Sequence, residues 1–229
     1  MLDRVIESLP LLLVGAKNTI TVSFVSMVIA LPIAVLFALM RLSRARWGEK
    51  LALIYIEVWR GVPFVVELLV VYFMLPILVR KWFTLEVSAF EAMVVGCVLW
   101  TSANLAEVIR GAILAIPYGQ TEAASALGMN YLQRMRLVIL PQTIRSCLPP
   151  SIGIFTLMLK GTAIGFMIEY RELIRMGQIT IERLFMQGHQ SASIEIYTLI
   201  MIMYFVMIYP LSRLSLYLEK RFTLETLGE

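Results

Sequence analysis

From about Asn18 to Met40 the chain carries no formally charged residue. A helix over this run, at about 1.5 Å per residue, crosses roughly 30 Å of hydrocarbon with some tilt. Four further apolar runs follow, over about residues 63–79, 90–113, 146–168 and 194–218. Apolar residues make up 59% and charged residues 16% of the chain, far from the balance of a soluble domain. We therefore expect an all-α membrane protein whose 229 residues form a single transmembrane domain of five spans.

The connecting segments orient those spans. Arg41, Arg44, Arg46 and Lys50 cluster after the first run, and such basic excess marks the cytoplasmic side. Arg80 to Glu91 is balanced in charge and suits the outer face. Arg134, Arg136 and Arg145 return the next segment to the inside, Glu169 to Gln190 is balanced again, and Lys220 and Arg221 end the last run inside. This pattern puts the N-terminus in the periplasm and the C-terminus in the cytoplasm. Leu51 to Arg60 reads as an interfacial helix ended by Gly61 and Pro63, since a proline disfavours helical geometry in the residue before it. The formal charge of +4 is explained by this topology, so no nucleic-acid partner is expected.

Several chemistries lack their residues. The two cysteines, Cys97 and Cys147, have no metal-binding spacing, and His189 is the only histidine. No GxxxxGK[ST] phosphate loop occurs, so any ATP and magnesium must be bound by a separate subunit. The N-terminal residues lack the form of a cleaved signal peptide.

One polar interruption stands out, the stretch Glu122 to Pro141, EAASALGMNYLQRMRLVILP. Thr121 is placed to cap a short helix with Glu122 in its first turn, where a negative charge is favoured by about 0.3 to 1 kcal/mol. Ala123, Ala124 and Ala126 keep that helix slim, Leu127, Met129 and Tyr131 give it an apolar tip, and Gly128 allows a tight exit. The same stretch resembles the EAA loop of bacterial ABC-importer permeases. That resemblance implies that a cytoplasmic segment, about residues 119–141, meets the ATPase through Glu122, Ala123, Ala124, Leu127, Gly128, Leu140 and Pro141.

WRGVPFVVELL from Trp59, NLAEVIRGAILAIPYGQ from Asn104, LPPSIGIFTLMLKGT from Leu148 and REL from Arg171 resemble successive motifs of polar amino-acid permeases. The likeness spans about residues 10–220 and implies a type I ABC importer fold. It implies as partners two copies of an ATPase, a second permease subunit of the same or a related chain, and an external binding protein. The cargo implied is a polar or charged amino acid, or an opine-like derivative. Glu67 stands where the family usually has glutamine, Asn104 where tyrosine is frequent, and Gly161 and Ala163 where aspartate and serine are usual, so cargo identity is not inherited from any one member.

Charges inside the spans cost at least about 2.5 kcal/mol at a helix centre and should face a partner or water. Glu67, Glu107, Arg110 and Lys160 are the candidates. Glu107 and Arg110, three apart on one helix, can pair locally. Glu67 either receives a substrate ammonium or pairs with Lys160 or Arg110. Lys160, Gly161 and Thr162 bring flexible backbone and polar donors near mid-span, as broken helices at transport sites do. A zwitterion site framed by Glu67, Asn104 and Lys160 is the expectation. A stand-alone channel or secondary transporter, and less readily an intramembrane enzyme using Glu67 and Glu107, are the competing readings.

Overall fold

The computed structural model describes residues 2–43, 45–82, 87–189 and 192–227. Arg44 of the basic cluster and residues 83–86 of the loop expected outside lie beyond them. The described chain is helical almost throughout, with four helices long and apolar enough to cross a membrane, or five if one bent pair is a single span.

Helix α1 runs from Leu2 to Arg41, well beyond the charge-free run, and passes through Pro10 and Pro32 without ending. Its buried side is a ladder of small residues, Ala16, Thr19, Ser23, Ser26, Ala30, Ala34 and Ala38. The spacing of three and four puts them on one face. The opposite face shows Ile20, Phe24, Val28, Leu31, Val35 and Leu39. A soluble helix has the reverse arrangement; here the small face lets two backbones approach closely where lipid supplies no hydrophobic drive. That face lies along α4, Ala89–Leu114, which buries Ala92, Gly96, Ala103 and Ala106. Ser88 and Glu91 close the first turn of α4 with a reciprocal capping box.

Helices α2 (Arg46–Gly61) and α3 (Phe64–Trp82) stop and restart at Val62 and Pro63, with a bend of 106° between them. The break falls where Gly61 and Pro63 place it. Helix α2 uses Ala52 and Ile56 against α1 and α4, while α3 sets Leu68 and Val71 against Ala92, Met93 and Cys97.

The expected fourth span is part of a longer rod. It comprises α6 (Tyr131–Arg134), a π-helical segment (Met135–Ile139), α7 (Leu140–Gly161) and a 3₁₀ segment (Thr162–Ile168). Pro141 explains the π turn. It has no N–H to offer and its ring crowds the preceding turn, so the helix widens just before it. Side chains then serve two carbonyls there, Gln142 Nε2 donating to Val138 at 3.1 Å and Thr143 Oγ1 to Ile139 at 2.9 Å. Helix α9, Ala192–Leu227, packs on α7 and on α8, Leu173–Met186. The charge-balanced segment between the fourth and last runs forms α8, and its buried side, Leu173, Met176, Gly177, Thr180 and Leu184, is wedged against α1 and α9.

Candidate functional site

Between α4 and α6 stands a short helix, α5, spanning Tyr118–Ala126. It starts four residues earlier than the expected Thr121 cap suggests, at Tyr118 and not Glu122. Pro117 is the N-cap residue, with φ of −57° and no side-chain cap, so Thr121 lies inside the helix and does not cap it. Glu122 is consequently past the first turn. The reason is that proline already holds φ near the helical value, which lets the helix begin directly after it. The exit is as expected. Gly128 adopts φ of +78°, its amide returns to Ser125 at 3.0 Å, and that of Met129 returns to Ala124 at 3.1 Å, the Schellman closure.

This helix is braced on one side only. Ala124 is buried, α5 touches the π segment, and Arg134 Nη1 donates to Ser125 Oγ, which itself donates to the Thr121 carbonyl at 2.7 Å. Asn130 and Gln133 form a capping box that starts α6 directly after the turn. Glu122, Ala123, Leu127, Gly128, Leu140 and Pro141 are exposed. Leu127 is 76%, Leu132 76% and Tyr131 63% exposed and form an apolar tip on the surface of the chain, whereas Met129, expected at that tip, is half-buried.

The intramembrane charges divide into three cases. Arg110 is bound bidentately by Glu107, Nη2 to Oε2 at 2.8 Å and Nε to Oε1 at 3.0 Å, the local pair that spacing allows. Lys160 is exposed and, among the described residues, in no ion pair. Glu67 is 1% exposed, and neither carboxyl oxygen has a hydrogen-bond partner among the described residues. It therefore pairs with neither Lys160 nor Arg110. Asn104 spends its amide on its own helix, Nδ2 to the Trp100 carbonyl at 2.8 Å, and Thr162 is fully buried with Oγ1 donating to Leu159 at 2.8 Å.

What the fold brings together is the two helix discontinuities. Phe64, first residue of α3 after the Val62–Pro63 break, lies 3.4 Å from where a Cβ on Gly161 would sit, and it meets Trp100 at a ring separation of 6.1 Å. Gly161 ends α7 where the 3₁₀ segment begins. Glu67 is thus one turn along α3 from this contact and buried, and Lys160 is next to Gly161 in the chain and exposed.

A second cluster escaped the sequence reading. Glu172 is the N-cap of α8 and accepts from the amides of Ile174 and Arg175, both at 2.7 Å, and from Tyr204 Oη at 3.3 Å. Burial pushes its carboxyl up to about 7 against those donors. Leu173 N donates to Thr19 Oγ1, Asn18 Nδ2 to the Arg171 carbonyl and Tyr170 Oη to the Asn18 carbonyl, so α1, α8 and α9 are tied at one knot. Glutamate is a poor cap by propensity, and only the REL motif drew attention to it. Among the described residues no group of histidine, cysteine or carboxylate side chains is arranged to hold a metal.

Residues 9–224 match the family model described as binding-protein-dependent transport system inner membrane component. The chain belongs to this family. Its relatives include the probable amino-acid ABC transporter permease protein YckA of Bacillus subtilis (strain 168), 39% identical over 177 residues, covering 76% of this chain and 75% of that one. The glutamine transport system permease protein GlnP of Escherichia coli (strain K12) is 34% identical over 93% of this chain and 94% of its own length. A solved structure described as an amino acid ABC transporter with histidines superposes with a TM-score of 0.81 at 34% identity, covering 94% of this chain and 96% of that one. The all-α, type I importer fold and the inner-membrane location read from the sequence are those of the family. As a permease subunit, the chain forms a route across the membrane, and the braced α5 tip and the paired helix breaks are the two places in it that geometry singles out.

Proposed function

We propose that the chain is the permease subunit of an ABC importer for polar or charged amino acids or opine-like derivatives. The exposed apolar tip where α5 turns into α6 carries this reading, because Leu127, Tyr131 and Leu132 are left uncovered among the described residues. The amino-acid cargo of the named relatives supports the substrate class. Two copies of an ATPase dock on the α5 tips of two permease subunits, and an external binding protein delivers cargo on the opposite side. The N-terminus lies in the periplasm and the C-terminus in the cytoplasm. ATP and magnesium belong to the ATPase; closure of its two halves moves α5 and reorients the spans.

Lys160 takes the substrate carboxylate, being the exposed cation beside the helix breaks. Glu67, sealed at 1% exposure, becomes a partner for the ammonium only when the α2–α3 break opens. Reconstitution into liposomes tests the assignment. Uptake of an L-amino acid that needs the external binding protein, the co-purifying ATPase and ATP is the expected result, whereas flux through the permease alone would establish a channel or secondary transporter.

A further inference from the structure

Helix α2 lies across the bundle and not along it. Its axis turns by 106° into α3, which holds the second apolar run, so α2 runs close to the plane of the bilayer. Ile56 packs it against Ala34 and Ala38 of α1 and against Leu105, Ala106 and Ile109 of α4, one to two turns before α1 ends at Arg41. That depth, about 5 to 10 Å in from the charged end of α1, is where amphipathic helices rest at the boundary of headgroups and acyl chains.

At 3.6 residues per turn the helix divides into three sectors, each about a third of its circumference. Ala52 and Ile56 face the bundle and are fully buried. Trp47, Leu51, Ile54 and Val58 recur at intervals of four, three and four, and are 88%, 56%, 65% and 46% exposed. The remaining side carries Arg46, Lys50, Glu57 and Arg60, all exposed, with Leu53 the one apolar residue among them. Glu49 on that side is bound by Arg41 at 3.3 Å, which leaves three cations to one anion. Among the described residues neither Arg46 nor Lys50 is in an ion pair. A helix that floats on a bilayer needs two faces, but one that lies in the interface against a protein needs three, toward protein, water and hydrocarbon. The sequence of α2 supplies all three.

We infer that α2 binds anionic phospholipid in the leaflet at this end of the bundle. Trp47, Leu51, Ile54 and Val58 enter the acyl region, with the indole of Trp47 at headgroup level, and Arg46 and Lys50 hold the phosphates above them. The apolar sector continues the surface that α1 turns to lipid at the same depth through Leu36 and Leu39, 56% and 54% exposed. A second copy of the chain could reach it only through hydrocarbon, beneath the charged sector. The inference is independent of cargo and ATPase; the proposed orientation enters only in naming the leaflet, which is the cytoplasmic one.

Quenching of a fluorophore tests the assignment at the helix itself. The permease with its co-purifying subunits, carrying Cys97→Ala and Cys147→Ser, is labelled at Ile54→Cys or Glu57→Cys and reconstituted in vesicles containing brominated phosphatidylglycerol or brominated phosphatidylcholine. The label at 54 should be quenched by brominated acyl chains and not by aqueous iodide, and the label at 57 the reverse. Phosphatidylglycerol should be preferred around the label at 54 by roughly fivefold, the effect of one surface cation. Arg46→Gln combined with Lys50→Gln should bring the two lipids to parity while the brominated chains still quench. Iodide quenching at 54 overturns the proposal by placing the stripe in water, and shielding from both quenchers overturns it by placing a protein there. A preference that is absent in wild type, or unchanged in the double variant, removes Arg46 and Lys50 as headgroup ligands.

Discussion

Glu172 shows how one side chain can join two helices, beside the contact to a third, and still be hidden from a sequence reader. Its carboxyl caps α8, bonds to Tyr204 on α9 and stands beside the Thr19 contact to α1. Burial raises it from the ordinary 4.5 to about 7. A folded-state value above the unfolded one means the native chain binds more protons, so this group's contribution is complete below about 4.5 and lost as pH rises through 7. The thermal midpoint of the purified complex, scanned from acid to neutral pH, should therefore fall less steeply in Glu172→Gln than in wild type. Parallel curves would show that the group does not titrate in this range. Glu67 was legible as an oddity, an acid in an apolar run, but its sealing was not. Burial of one side chain depends on which helix covers it, and α4, Ala89–Leu114, comes from beyond the next loop of the chain.

At the scale of the element, α5 was readable in existence and exit and misread at its start. Gly128 stood out because a chain leaving a helix needs a residue tolerant of positive φ, and it has φ of +78°. Thr121 was a plausible cap that Pro117 pre-empted, since the two signals compete locally and the earlier one won. The π segment had no signal beyond Pro141. Gly128→Trp tests what the element does, because its Cβ meets nothing within 4 Å but its backbone disfavours any side chain. Left-handed geometry costs roughly 1 to 2 kcal/mol in a non-glycine residue, too little to unfold the bundle. Normal permease abundance with lost substrate-stimulated ATPase activity is the expected outcome; wild-type stimulation would remove α5 from the docking role.

Across the whole molecule the apolar runs gave the bundle, because a helix that must satisfy its own backbone in lipid writes its length into the composition. The extent of α1 was not legible, since charged residues near the N-terminus mark where lipid ends and not where a helix does. The placement of the two discontinuities against each other is also a tertiary fact, carried by Phe64 and Gly161. If the contact between them is where cargo passes, Lys160→Met should raise the substrate concentration for half-maximal uptake, and Glu67→Gln should alter selectivity among amino acids with different side-chain charge. Unchanged kinetics and selectivity in both, at normal assembly, would take these residues out of the path. In mechanical terms α1 and the α2–α3 pair are opposites. The first is a single strut about 60 Å long with no joint, pinned at the Glu172 knot and again along α4. The second has its elbow at Val62 and Pro63. Motion that changes the distance between the two faces must bend the elbow and leave the strut intact, so a rigid frame and a moving arm are already assigned to different helices.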